Sequence, residues 1–441
     1  DVYKRQIEEV ITFPFSVING QVYGDVSMKD SLYWGSGWAW DDTPAGYQPY
    51  LSPLMFCKGT VQVSIVPSTV QGDTASVSCQ PLSSYYTVTN QTKTGTSSAG
   101  KFSFTRDWLT NGNNLLISGN VTSIRKDDVN IYDSPRFFMH TFLERLRGKG
   151  ITTPQSYGFA ELPRDSVRVE RMACWNTSVQ KVLNQLMKES DNLNAEAFLC
   201  RLGAQATGKK QVAAEDGIVE IMKLIRRLGH DPKDYKIADG CGLSNYNYLS
   251  PALLVDFLKY AYSQTEVFQM LYKSLPVGGV DGTLKFRMKG TPAFRNVYAK
   301  TGSFTAINAL AGYLKMKNGH EVAFAIMNQN VPTVYLPVSD WAMENSFPIW
   351  LLRQTVNINR TTTIQKHFSM RECRICWKIW QKIIWKCRCC FPWSFPHTWQ
   401  TCWAVFSAIR FLSWTGSISD RYAVNTRLTR ISPENAFQEI P

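Results

Sequence analysis

Two short strings in this chain carry side chains suited to chemistry: Ser190-Asp191-Asn192 and Lys300-Thr301-Gly302, 110 positions apart. A serine hydroxyl passes a proton in either direction, and an asparagine amide donates and accepts at once. A lysine fixed beside them draws an anionic group and favours the neutral form of neighbouring amines. Thr301 offers a hydroxyl to the same anion. Gly302 has no side chain, so an extended chain can lie against its backbone as an added strand. Each string alone is weak, because Ser-Asp-Asn is common where helices break and lysine is common on surface strands. Together they describe a proton relay next to a carboxylate site.

The surrounding pattern says what must hold these groups. From Ser178 to about Leu202 the spacing is helical, with Val182, Leu183 and Leu186 on one stripe and a break at Ser190-Asp191-Asn192. Further helices are expected from about Asp216 to Leu228, ending at Gly229, and from Pro251 through Leu253, Leu254, Phe257, Leu258 and Tyr262. Strands then follow at Val297–Ala299, Ala309–Met316 and Glu321–Met327. The last two are joined by Lys317-Asn318-Gly319-His320, a strong hairpin signal. Helices followed by antiparallel strands indicate an α+β domain. Upstream, Val61–Val66, Ala75–Cys79 and Leu115–Val121 alternate or run apolar between turn residues, so residues 7–168 are expected to be β-rich. One helix interrupts them, with Ser134 as its cap, Pro135 in its first turn and Phe138, Phe142, Leu143 and Leu146 facing a core.

In this order and at this distance, the two strings resemble the second and third motifs of the active-site serine penicillin-binding enzymes and β-lactamases. The flanks Leu186–Ala197, Ala238–Ser244, Asp281-Gly-Thr-Leu284 and Ala299–Ser303 narrow the resemblance. They are similar to the D-Ala-D-Ala carboxypeptidase/endopeptidase family of the penicillin-binding protein 4 type, peptidase family S13, over roughly Val22 to Leu352. The resemblance implies an antiparallel sheet flanked by helices, with residues 7–168 inserted into the domain and residues 169–356 forming its second half. It implies Ser190, Asn192 and Lys300 as catalytic residues and Asp191, Thr301, Gly302 and Ser303 as substrate-binding ones, the backbone N–H of Ser303 forming half of an oxyanion hole. The substrates would be peptidoglycan stem peptides ending in D-Ala-D-Ala, with β-lactams as acylating inhibitors. No cofactor or metal is expected, and the cell envelope or periplasm is the expected compartment. Cys241 departs from the pattern, standing where the family usually has serine.

A nucleophile is the part not found. The family's Ser-x-x-Lys motif opens a long apolar helix, and two literal matches occur here. Ser178-Val-Gln-Lys181 begins the helix that leads to Ser190, which puts the two serines about 18 Å apart at 1.5 Å per residue. Ser123-Ile-Arg-Lys126 runs into Asp127-Asp128 with no apolar helix behind it. The expectation is a chain that starts inside the family's insert, without the first motif, and is inactive as it stands.

The net charge of +13 is uneven: from Asn357 onward 12 Lys/Arg face 4 Asp/Glu, a net +8, leaving +5 on the preceding 356 residues. The last 85 residues also hold Trp377, Trp380, Trp385, Trp393, Trp399, Trp403 and Trp414, half of the 14 tryptophans, with no sustained period. Residues 357–441 read as an aberrant tail, translated out of frame and packing poorly. Cys373, Cys376, Cys387, Cys389 and His397 are the residues of a competing zinc reading, but the second cysteine pair is too close for the usual ribbon. The tail lacks a recognisable nucleic-acid module, so no nucleic acid is expected as a partner. Cys57 and Cys79 can pair only if they sit on neighbouring strands. The opening Asp1–Gln6 has no apolar run of a secretion signal, and no stretch reaches membrane-spanning length. A non-catalytic alternative is a glycan-binding platform of Trp34, Trp38 and Trp40 with Asp41 and Asp42.

Overall fold

A computed structural model describes residues 15–162, 169–305, 307–315, 321–329 and 426–431. Strands and one helix make up the first stretch. β1 (Val22–Gly24) pairs in parallel with β8 (Tyr157–Phe159). β2 (Thr60–Val66) lies between β3 (Ser76–Gln80) and β7 (Arg125–Asn130), both antiparallel to it. A second sheet centres on β6 (Asn114–Val121), with β4 (Thr87–Thr94) parallel to it and β5 (Ser103–Arg106) antiparallel. Val61, Val63 and Ile65 point inward at 0% exposure from alternate positions of β2, the period-two pattern of a strand with one buried face. Leu115 and Ile117 of β6 and Phe137, Leu143 and Leu146 of α1 (Ser134–Gly148) close the same core. Ser134 does not cap that helix. Asp133, in the left-handed region at φ 60°, accepts from Arg136 N, while Ser134 Oγ donates to Tyr50 O at 2.9 Å. Cys57 and Cys79 are not joined in a disulfide, Cys57 lying on a 3-10 turn before β2 rather than on a strand beside β3.

From Val179 the chain becomes helical: α2 (Val179–Glu189), α3 (Asn192–Thr207), α4 (Ala214–Arg227), α5 (Pro251–Ser263) and α6 (Thr265–Ser274). The last of these was not anticipated, because only one residue, Gln264, separates it from α5 and no turn signal marks the join. The helices pack through Leu183, Leu199, Leu224, Leu253 and Leu271 onto one face of an antiparallel sheet ordered β10 (Val297–Phe304), β11 (Ile307–Lys315), β12 (Glu321–Gln329). The opposite face carries Val297, Ala299, Leu310 and Leu314 against Leu284, Met288 and Ala293. β11 is therefore covered on both sides, which explains its nearly continuous apolar run. Gly312 on β11 faces β10 so closely that a Cβ would sit 2.1 Å from Tyr298 O. The fold is α+β, as the order of elements predicts.

The turn at Lys317–His320 and the cysteine cluster of the tail lie outside the described residues. One piece of the tail lies inside them: β13 (Thr426–Ile431) runs antiparallel to β9 (Val169–Trp175), with a register shift between Leu428 and Thr429. Neither strand shows clean alternation, so neither was expected.

Candidate active site

The turn between α2 and α3 is where the first string sits. Ser190 takes the left-handed conformation (φ 56°, ψ 49°) and ends α2, its N–H bonding Leu186 O. Asp191 then caps α3 by accepting from Asn194 N at 3.1 Å. A helix break forced by two capping residues thus leaves the Ser190 side chain exposed at the tip of a turn.

The second string arrives on β10. Lys300, 2% exposed, reaches through the protein to donate to Ser190 Oγ at 2.7 Å and to Thr301 O at 2.6 Å. A buried ammonium needs acceptors, and these two oxygens supply them. Thr301 Oγ1 donates to Thr283 Oγ1 at 2.8 Å. Gly302 is buried, while Ser303 is exposed and its hydroxyl donates to Asn308 Oδ1 at 3.2 Å. Asn308 is 5% exposed, and its amide nitrogen has no hydrogen-bond partner.

β10 is the outer strand of its sheet. Its first half is covered by the loop before it, through Gly278 N to Val297 O and Ala299 N to Pro276 O. Beyond Ala299 that edge has no strand partner among the described residues. Backbone groups alternate sides along a strand, so the Thr301 and Ser303 N–H groups face the same open edge as that of Ala299.

Asp191 and Asn192 are turned toward the β-rich region instead. Asp191 is 7% exposed, and its Oδ2 forms an ion pair with Lys58 Nζ at 2.5 Å. The sequence placed Asp191 among the substrate-binding groups; here one of its oxygens accepts from Asn194 N and the other pairs with Lys58. The Asn192 amide donates to Tyr47 O at 2.7 Å. These contacts form a wall of a cleft of about 530 Å³ lined by Tyr47, Lys58, Phe104, Asp128, Ser190 and Asn192, among others. Lys58 and Tyr47 had no signal in the sequence, since nothing local links them to residues more than 130 positions later.

The Ser-x-x-Lys strings lie elsewhere. Ser178 caps the far end of α2 by accepting from Lys181 N. Ser123 is exposed in the turn between β6 and β7 and is not among the residues that line the cleft.

Behind the motif turn lies a buried acid pair. Glu196 on α3 accepts from the N–H groups of Gly240 and Cys241, each at 2.8 Å. Asp239 accepts from Gly242 N, Ser244 N, Asn247 Nδ2 and, at 2.9 Å, Trp38 Nε1. Burial and then the charge of Asp239 push the Glu196 carboxyl up to about 7. Burial also raises Asp239 and pushes the Cys241 thiol well up. Ligand atoms of Glu196, Asp239 and Cys241 lie within 4.8 Å of one another. The N–H donors already aimed at both carboxylates make this a hydrogen-bonded knot rather than a vacant cation site. Trp38, at 6% exposure, belongs to that knot, and Trp34 packs against it, so the three tryptophans do not form a surface platform.

The model of the D-Ala-D-Ala carboxypeptidase 3 (S13) family matches residues 14–343. A D-alanyl-D-alanine carboxypeptidase of Actinomadura sp. (strain R39) is 29% identical over 339 residues, covering 73% of this chain and 61% of the relative. A penicillin-sensitive carboxypeptidase A of Dictyostelium discoideum is 28% identical over 320 residues, covering 69% of this chain and 60% of the relative. The chain thus spans about 60% of the length of these relatives. In three dimensions it is similar to penicillin binding protein 4 (dacB) from Haemophilus influenzae, with a TM-score of 0.65 at 20% identity over 80% of this chain and 79% of that one.

Proposed function

Because the chain belongs to the D-Ala-D-Ala carboxypeptidase 3 (S13) family, we propose that Ser190, Lys300 and the open edge of β10, beside the cleft that Ser190 lines, form the substrate side of a serine-type D-Ala-D-Ala carboxypeptidase site acting on peptidoglycan stem peptides in the cell envelope. The observation that carries the reading is the 2.7 Å contact between Lys300 Nζ and Ser190 Oγ at the open end of β10. Acyl transfer to water needs a nucleophile, a proton route to the leaving amine and donors for the carbonyl oxygen. Ser190 serves as the proton route. Lys300 and Thr301 attract the terminal carboxylate, and the Ser303 N–H at the free edge is one oxyanion donor. Gly302 lets the peptide lie alongside as an added strand. Asn192 holds the cleft wall through Tyr47. A β-lactam occupies the same cleft as the peptide. No helix among the described residues is long and apolar enough to cross a membrane.

The attacking hydroxyl is not Ser178 or Ser123, and these 441 residues alone do not trap penicillin. Two measurements test the reading. Calorimetry with a diacyl-Lys-D-Ala-D-Ala peptide should give binding that Ser190→Ala and Lys300→Met weaken. A fluorescent penicillin followed by denaturing electrophoresis should leave the chain unlabelled. Peptide binding indifferent to both variants overturns the site, and a labelled band lost in Ser178→Ala or Ser123→Ala overturns the statement about the nucleophile.

A further inference from the structure

The string Asp281-Gly282-Thr283-Leu284 has no part in the chemistry above, yet it is tied to both motifs. Lys188, in the last turn of α2 and two residues before Ser190, donates to Asp281 Oδ1 at 2.8 Å and Oδ2 at 2.7 Å, and to Leu275 O at 2.5 Å. Asp281 Oδ1 also accepts from Val277 N at 2.9 Å, and Gly279 N bonds Leu284 O at 3.0 Å. Gly282 adopts φ +53°, and a Cβ there would meet Lys188 O at 2.8 Å, so only glycine lets the loop lie this close to the helix. The loop is therefore pinned to the helix that carries Ser190.

Pinning sets the position of the residue between these anchors. Leu284 is fully buried beneath β10, and Thr283, half-buried, places its hydroxyl 2.8 Å from Thr301 Oγ1. Thr301 is only 7% exposed and spends its proton on Thr283 in this arrangement. The Thr283 hydroxyl has its own proton to give and is the more accessible of the two. Thr301 lies next to Lys300 on β10, where the open edge begins.

We infer that Thr283 is a substrate-binding residue that donates its hydroxyl to the C-terminal carboxylate of the peptide, Thr301 supporting it from behind. The inference rests on the reading of the cleft as a D-Ala-D-Ala site. It also gives a reason for the Lys188–Asp281 pair: a short hydrogen bond to a carboxylate needs its donor held in place, and the pair holds Thr283 and Ser190 in one frame.

The test compares a peptide ending in D-Ala-D-Ala with the same peptide as its C-terminal amide, each titrated into the wild-type chain, Thr283→Val and Thr283→Ser. Thr283→Val keeps the shape and loses the donor, while Thr283→Ser keeps the donor. The wild type should prefer the acid, Thr283→Val should bind the acid roughly tenfold more weakly and lose most of that preference, and Thr283→Ser should restore it. Equal melting temperatures of the three proteins exclude a folding effect. A wild type that prefers the acid while Thr283→Val does so equally overturns this inference alone. A wild type that does not distinguish acid from amide overturns the reading of the cleft, and this inference with it.

Discussion

Lys300 Nζ lies 2.7 Å from Ser190 Oγ, although 110 positions separate the two residues and Lys300 is 2% exposed. Burying an ammonium group is costly, and a buried ion can often be replaced by an apolar side chain of similar volume without loss of stability. Replacing it with an apolar side chain of similar length should therefore be harmless to stability and harmful to function. Lys300→Met is expected to melt at or above the wild-type temperature while losing at least tenfold in affinity for the peptide acid. Scanning calorimetry and peptide titration read the two effects separately. A marked fall in melting temperature would mean that Lys300 is chiefly a structural contact.

Asp191 caps α3 and pairs with Lys58. Asp191→Ala should cost about 1–2 kcal/mol, most of it from the cap, since a pair with a half-exposed lysine contributes at most about 1 kcal/mol. Asp191→Asn keeps the capping oxygen and should lose less than half as much. Urea unfolding of both variants, with Lys58→Met as the partner in a double-mutant cycle, separates cap from pair. Equal losses in the two Asp191 variants would assign the whole effect to the charge.

Glu196 is raised from its ordinary value of 4.5 to about 7. The folded protein thus holds a proton that the unfolded chain releases near pH 4.5. The protonated form favours folding fully below about pH 4.5, and this contribution is lost as pH rises through about 7. Glu196→Gln removes the titration while keeping the side-chain carbonyl that accepts from Gly240 and Cys241. The difference in stability between wild type and Glu196→Gln should change between pH 4.5 and 7 in the direction that favours the variant at higher pH. A difference that stays flat over that window would place the Glu196 pKa near its ordinary value.

Gly312 has no room for a side chain: an added Cβ would sit 2.1 Å from Tyr298 O and 2.6 Å from the Ala299 Cα. Gly312→Ala should push β10 away from β11 and destabilise the sheet by several kcal/mol, on the scale of an overpacked core. At Gly148, near the end of α1, the same substitution meets nothing within 4 Å and should leave stability unchanged or slightly higher. Melting temperatures of the two alanine variants check this, and similar values would refute it.

The parts of the fold that were legible in the sequence are those in which one element buries one face. The stripe of α2, the alternation of β2 and the break at Ser190 each write their structure locally. Lys300 could be matched with Ser190 only through the resemblance of the two strings, since no periodicity links residues so far apart. Asp191 entered the candidate site as part of the Ser190-Asp191-Asn192 string, and its ion pair was not readable there. Its actual partner, Lys58, comes from a different sheet system, and no local pattern carries that information. Trp38 was open to a core reading and to a glycan-platform alternative, and the Asp239 carboxylate that receives its indole N–H lies too far along the chain to give a local signal. The pairing of β9 with β13 was illegible because both strands lack a regular apolar face.

The unpaired stretch of β10 also bears on how the protein behaves at high concentration. A strand edge that welcomes a peptide by main-chain hydrogen bonds makes no distinction between a substrate and the edge of a second molecule. One feature limits that hazard. The Pro276–Gly278 loop occupies the edge up to Ala299, so among the described residues only the short stretch from Lys300 to Phe304 remains open. Recognition of a short peptide terminus and resistance to self-association thus follow from the same restricted length of backbone.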